Sequence, residues 1–224
     1  MMNHTIIFDC DGVLVDSEAI YIEVEQQYLS ELGLNYDPAE YQTKFIGLPF
    51  DDFIAQLAAD YQTLGKGAFP ADAGDQIIAE SKARVATELQ PIEGILPLLQ
   101  QLDANSAVAS SSSISNLHWK LELTGLHGHF DPHIYSGEQV DLGKPAPDLF
   151  LHAAKHLNVE PENCIVVEDS VNGVRAGVAA GMNVWGFTGG GHADAGLRDR
   201  LMNAGAKETF SSFADMGEAH LTFR

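Results

Sequence analysis

Apolar and polar positions alternate along this chain in two rhythms. Short apolar runs at Thr5-Phe8, Ser106-Ala109, His133-Tyr135, Cys164-Val167 and Asn183-Phe187 read as strands, and most of the stretches between them carry helical periodicity. That alternation predicts a parallel sheet with crossover helices, an α/β architecture. One segment breaks the rhythm: from about residue 17 to residue 89 the pattern is helical only, with amphipathic stretches at Ile20-Leu32, Asp51-Tyr61 and Asp75-Leu89. The expectation is a catalytic core of residues 1–16 and 90–224, with 17–89 inserted as a helical cap. Asp16-Ser17 reads as the cap of the first inserted helix and as the hinge. Leu64-Gly65-Lys66-Gly67-Ala68-Phe69-Pro70 reads as a loop between cap helices, because no strand precedes it to make it a phosphate loop. Thr188-Gly189-Gly190-Gly191-His192 follows a strand and reads as a flexible loop with His192 in solvent. The glycines of Val171-Asn172-Gly173-Val174-Arg175-Ala176-Gly177 read as letting a helix lie close on the sheet.

Composition narrows the partners. Twelve Lys and Arg stand against 32 Asp and Glu, a formal charge of -20, which argues against nucleic acid and anionic membrane as ligands. No apolar run approaches the roughly 20 residues of a membrane span. No basic stretch precedes the first strand, so the expected compartment is the cytoplasm. Cys10 and Cys164 both sit in strand-like runs and read as small buried side chains, not as a disulfide. At 224 residues the chain suits one large domain or two modest ones, and a monomer or weak homo-oligomer is the expectation. The same charge makes any phosphate-bearing ligand hard to hold unless a cation and a few placed donors offset it locally.

Candidate chemistry lies where such offsetting is needed. Ligands of open parallel sheets bind beyond the carboxyl ends of the strands. Asp9 and Asp11 follow the first run, Ser110, Ser111, Ser112 and Ser113 the second, Ser136-Gly137 and then Gly143-Lys144-Pro145 the third, and Glu168-Asp169-Ser170 the fourth. Two acids flanking one small residue repel each other unless something positive compensates. Asp9, Glu168 and Asp169 make an oxygen-rich set suited to Mg²⁺. Lys144 adds a point charge and Ser110 a hydroxyl, and the N–H groups of a helix starting near Ser112 are expected to complete a phosphoryl seat. Asp9 is then the candidate nucleophile, and Asp11 the candidate acid for the leaving alkoxide and base for water.

Asp9-Cys10-Asp11-Gly12-Val13-Leu14-Val15-Asp16-Ser17 resembles the first motif of the haloacid dehalogenase superfamily, in its Mg²⁺-dependent phosphotransferase branch. Ser110, Lys144 and Glu168-Asp169 match the second, third and fourth motifs in order. The resemblance implies a Rossmannoid doubly wound core with a helical cap, as in the β-phosphoglucomutase-like group. It also implies Mg²⁺ held by Asp9, the backbone carbonyl of Asp11 and Asp169, with Glu168 in support.

Within that superfamily the residues favour hydrolysis. A dehalogenase lacks the second aspartate, and Lys44, Lys66 and Lys82 have no context that marks a Schiff-base lysine. A phosphosugar mutase would carry an arginine where Ile46-Gly47-Leu48-Pro49-Phe50 has Phe50. A phosphoacceptor receiver domain, which shares the acidic pair, lysine and hydroxyl, is disfavoured by Asp11 and by the long inserted segment. The expected activity is Mg²⁺-dependent hydrolysis of a small phosphorylated sugar or sugar acid through an aspartyl-phosphate. The later part of the chain looks similar to bacterial 6-phosphogluconate phosphatases. Substrate choice falls to the cap, with Gly47 and Leu48 as first candidates beside Tyr21, Glu25, Lys82 and Arg84, and to Ser111 and Ser112 in the core.

Overall fold

The computed structural model describes residues 4–45, 48, 50–102 and 106–222. Elements follow in the order β1 (Thr5–Phe8), α1 (Ser17–Leu32), α2 (Pro38–Phe45), α3 (Phe50–Thr63), α4 (Ala73–Glu88), α5 (Ile95–Gln101), β2 (Ser106–Ser110), α6 (Ile114–Leu123), α7 (His127–Phe130), β3 (Ile134–Ser136), α8 (Asp148–Leu157), β4 (Cys164–Glu168), α9 (Val171–Ala179), β5 (Asn183–Phe187), α10 (Leu197–Ala204), β6 (Glu208–Phe210) and α11 (Phe213–Thr222).

The strands form one parallel sheet in the order β3-β2-β1-β4-β5-β6, with Phe8 opposite Val108 on one side and Val167 on the other. The chain runs outward from β1 through β2 to β3, then crosses back to lay β4 against the free side of β1. That reversal opens a crevice between the carboxyl ends of β1 and β4, where open α/β sheets bind ligands. β1 reads Thr-Ile-Ile-Phe and is buried along its whole length, as a central strand covered on both faces must be. One face packs Ile7, Ala107, Val166 and Val184 against Leu149, Phe150, Val174 and Leu201. Phe8 meets Phe130 and Phe213 edge-on at 5.9 and 6.5 Å between ring centroids, and Phe187 stacks on Phe213 at 4.5 Å. A methyl on Gly177 would press into Val184 and Val166, so this glycine does let α9 lie close on the sheet. Gly173 serves another purpose: its missing side chain leaves room for the Glu168 carboxylate. Both cysteines are buried and unpaired with each other.

Contacts divide the chain into two compact units, residues Met1–Ala19 with Leu89–Arg224, and Ile20–Glu88. The second unit is helical and has its own core of Leu29, Leu34, Tyr41, Phe45, Phe53, Leu57 and Ile77. Within it, Arg84 bridges Glu23 at 2.8 Å and Glu88 at 2.7 Å, and the Tyr41 hydroxyl donates to Glu25. Residues 64–72 connect α3 to α4 as a loop. Gly65 and Gly67 lie there with positive φ in open surroundings, as turns would use them. Helix α2 goes beyond the predicted elements, although Asp37 accepts the Glu40 N–H at 2.8 Å with Pro38 opening the helix, a start signal visible in the sequence. Strand β6 is also additional; it spans three residues at the sheet edge, beginning with an exposed Glu208, and such a run carries no period. Among the described residues no helix is long and apolar enough to cross a membrane.

Candidate active site

β1 ends at Phe8 and delivers Asp9 into the crevice, held by an Asp9 N–H bond to the Val167 carbonyl at 2.9 Å. The chain then turns sharply: Gly12 has a φ of +75°, and a methyl there would collide with the Asp169 carboxylate, so only glycine fits. From β4 come Glu168 and Asp169. Asp9, Glu168 and Asp169 are all buried, and one oxygen from each lies within 4.8 Å of the others. An all-oxygen set of that reach fits a hard divalent cation such as Mg²⁺.

Lys144 fills the other side of Asp9. Its ammonium donates to Asp9 Oδ1 at 2.5 Å, Glu168 Oε1 at 2.6 Å and the Ala109 carbonyl at 2.9 Å, which employs all three of its protons. The Phe150 ring lies 4.9 Å below it. Burial works against its charge, but Asp9 and Glu168 hold its pKa above the ordinary lysine range. Glu168 is itself committed, since its second oxygen accepts the Ser170 N–H at 3.0 Å and hydroxyl at 2.9 Å. It therefore orients Lys144 and the start of α9, a supporting position beside the two aspartates.

The two acids of the first loop live in opposite fields. Burial pushes Asp9 well above the usual carboxylate range; Lys144 draws it down, while Glu168, Asp169 and Asp11 push it up again. Asp169 is also raised, first by burial, with the His192 bond pulling the other way. Burial pushes Asp11 up as well, yet it ends below the usual range because donors surround it. Lys120 forms a buried ion pair with Oδ1, Ser17 donates its hydroxyl to the same oxygen, and Ser112 donates to Oδ2 at 2.8 Å. Glu18, half-buried in the first turn of α1, is pushed up to about 7 by burial and by the charges of Asp11 and Asp169.

The remaining predicted residues separate. Ser110 is buried at the end of β2, its hydroxyl accepting the Ser112 N–H at 3.1 Å. Ser111 is exposed. Helix α6 starts later than expected, with Ser113 as its N-cap accepting the Asn116 N–H at 3.4 Å, and Glu138 takes the Ile114 N–H at 2.9 Å. Those two helix-start groups are therefore engaged within the protein; an acidic cap uses the same positive end an anion would use. Leu48 is exposed at 41%, and Gly47 lies outside the described residues. Tyr21, Glu25, Lys82 and Arg84 belong to the helical unit.

Two residues here escaped the sequence reading. His192, expected in solvent, is 13% exposed and places Nε2 3.1 Å from Asp169 Oδ2. The glycines before it explain the difference, since a methyl on Gly190 would strike the Gly12 carbonyl, and the loop packs against the turn after β1. Lys120 is 1% exposed on α6. It sits on the stripe of Leu117 and Leu121, and a charge on the buried stripe of a helix was the available signal.

Comparison with known proteins adds four findings. Residues 6–187 match the family model of haloacid dehalogenase-like hydrolases. The chain is 34% identical over 188 residues to the 6-phosphogluconate phosphatase of Escherichia coli, covering 84% of this chain and 83% of that protein. It is 29% identical over 181 residues to a phosphorylated carbohydrates phosphatase of Thermotoga maritima, covering 79% and 81%. A haloacid dehalogenase-like protein of Agrobacterium tumefaciens superposes with a TM-score of 0.89 at 36% identity, covering 98% of both chains.

Proposed function

The chain belongs to the haloacid dehalogenase-like hydrolases, and from that premise we propose that it is a Mg²⁺-dependent phosphatase of a small phosphorylated sugar or sugar acid, 6-phosphogluconate among the candidates, working through an aspartyl-phosphate. The observation that carries this reading is the opposite treatment of two carboxylates two residues apart, Asp9 among acids and Asp11 among donors. Environments that split a pair of titratable groups also split their roles.

Asp9, Asp169 and the Asp11 carbonyl would hold Mg²⁺, with Glu168 behind them. Bound there, the ion would offset the charge of the carboxylates and of the phosphoryl oxygens. Lys144 favours the ionised form of the Asp9 carboxylate and aims it, and a free Asp9 oxygen attacks phosphorus, exchanging the ester P–O bond for an acyl phosphate. Ser110 and the neighbouring loop hold the transferred group in line. Asp11 gives a proton to the departing alkoxide and later takes one from the water that cleaves the acyl phosphate. Held ionised by its three donors, Asp11 would first take up a proton, from the monoanionic phosphate ester, before passing it to the alkoxide, and it returns to the ionised form that accepts a proton from water. The helical unit selects the organic part of the substrate; the relatives are named for 6-phosphogluconate and for phosphorylated carbohydrates. Phosphate release from a panel of sugar phosphates, sugar-acid phosphates and nucleotides tests the reading: a preference for the first two classes is expected, and a preference for nucleotides or phosphoprotein overturns it.

A further inference from the structure

Lys120 has no part in the four motifs, yet it is among the most deeply buried charged side chains of the core unit. Helix α6 carries it on the inward stripe between Leu117 and Thr124, and helical side chains lean toward the N-terminus of their helix. Its ammonium thereby comes back to the crevice, where it pairs with Asp11 Oδ1 and lies 3.0 Å from Ser112 Oγ. Ser112 in turn donates to Asp11 Oδ2 at 2.8 Å, so lysine, serine and carboxylate close a three-membered ring of hydrogen bonds. Ser17 fixes the same Oδ1 from the start of α1. A two-carbon linkage from Asp11 Cα to its oxygens leaves few rotations, and donors from two sides leave one orientation.

A lysine in this place is not needed to fill space, since a leucine or methionine on the stripe would pack as well without the desolvation of a charge. Nor does it reach the carboxylate trio directly: Lys144 already serves Asp9 and Glu168. We propose that Lys120 is a positioning residue, which acts on turnover through Asp11 by fixing where the Asp11 carboxylate stands relative to the leaving group. The inference rests on the reading of Asp11 as the proton-transfer group. Its consequence is that losing Lys120 resembles a partial loss of Asp11, and that the two losses do not add.

The experiment is a double-mutant cycle of Lys120→Met and Asp11→Asn, read as single-turnover release of the alcohol from a sugar phosphate and of p-nitrophenol from p-nitrophenyl phosphate, with thermal unfolding alongside. Lys120→Met is expected to slow the sugar ester by roughly 10- to 100-fold, part of what a proton-transfer group supplies, and the nitrophenyl ester by less than about 3-fold. KM should stay unchanged, and Lys120→Gln, which keeps an N–H donor, should recover part of the rate. The double variant should turn over as Asp11→Asn alone does and unfold at a higher temperature than Lys120→Met, because it no longer buries an unpaired carboxylate. If Lys120→Met folds poorly, Lys120→Gln carries the same comparison. Losses that multiply in the double variant, equal losses on both esters, or a change confined to KM would overturn the proposal. Asp11→Asn slowing both esters equally would instead defeat the proton-transfer reading of Asp11, while non-additivity would still mark Lys120 as acting through that residue.

Discussion

The two sides of the crevice solve the same electrostatic problem differently. On the β4 side, Lys144 serves both Asp9 and Glu168 while Asp169 meets His192, and burial together with mutual repulsion raises both aspartates. On the α6 side, one carboxylate, Asp11, is met by Lys120, Ser17 and Ser112, and is lowered. The first cluster is short of positive charge and the second is balanced. A chain carrying a net charge of -20 has little surface cation to offset that shortage, and the three acids of the β4 side are the group that could hold a metal ion.

The largest expected effect tests the nucleophile. Asp9→Asn should lower turnover by roughly 10⁴-fold or more, as removing an attacking group does, with the phosphoenzyme absent on rapid quench. Residual turnover above that level with a full phosphoenzyme signal would move the nucleophile elsewhere.

Next comes the shortage itself. EDTA should abolish turnover and Mg²⁺ restore it, with Ca²⁺ inhibiting because its looser shell spoils the in-line geometry. Glu168→Gln, which disturbs a supporting carboxylate, should weaken Mg²⁺ affinity about 10- to 100-fold in a titration followed by activity. Turnover that survives complete metal removal would break the contrast between the two sides.

Asp11→Asn should spare attack on p-nitrophenyl phosphate but slow a sugar ester by roughly 10²- to 10⁴-fold at the phosphorylation step. Stopped-flow comparison of the two leaving groups checks this.

The smallest effect concerns Glu18, which stands near both sides. Its folded pKa of about 7 lies above its ordinary 4.5, so the folded state binds the proton more tightly and stability falls as pH rises between those values. Glu18→Gln should therefore raise the unfolding midpoint of the metal-free protein above about pH 7 and leave it unchanged below about pH 4.5. A gain that is the same at both pH values would argue against an ionised, crowded Glu18.

The difference between the sides also governed how much could be read in advance. The β4 side was legible because its three acids stand at strand ends, and strand ends converge in an open parallel sheet. The α6 side was half legible: Asp11 and Ser112 follow strands, whereas Lys120 reaches the crevice from a helix interior, where a lysine ordinarily reads as solvated. His192 was misread for a related reason. Three glycines suggested mobility, while in the fold they permit close approach to the turn at Gly12. Nothing in Ser110-Ser113 announces that Glu138, from the turn after β3, takes the Ile114 N–H. Long-range contacts of that kind depend on tertiary register and leave no local pattern.

The central claim is that Asp9 becomes covalently phosphorylated while Asp11 manages protons. Intact-mass and peptide mass spectrometry of Asp11→Asn, quenched in acid after exposure to Mg²⁺ and p-nitrophenyl phosphate, tests it most directly. One phosphoryl group on the peptide holding Asp9, absent from the Asp9→Asn/Asp11→Asn double variant, is the predicted result. A phosphoryl group on any other residue, or none while p-nitrophenol is still released at the single-variant rate, would contradict it.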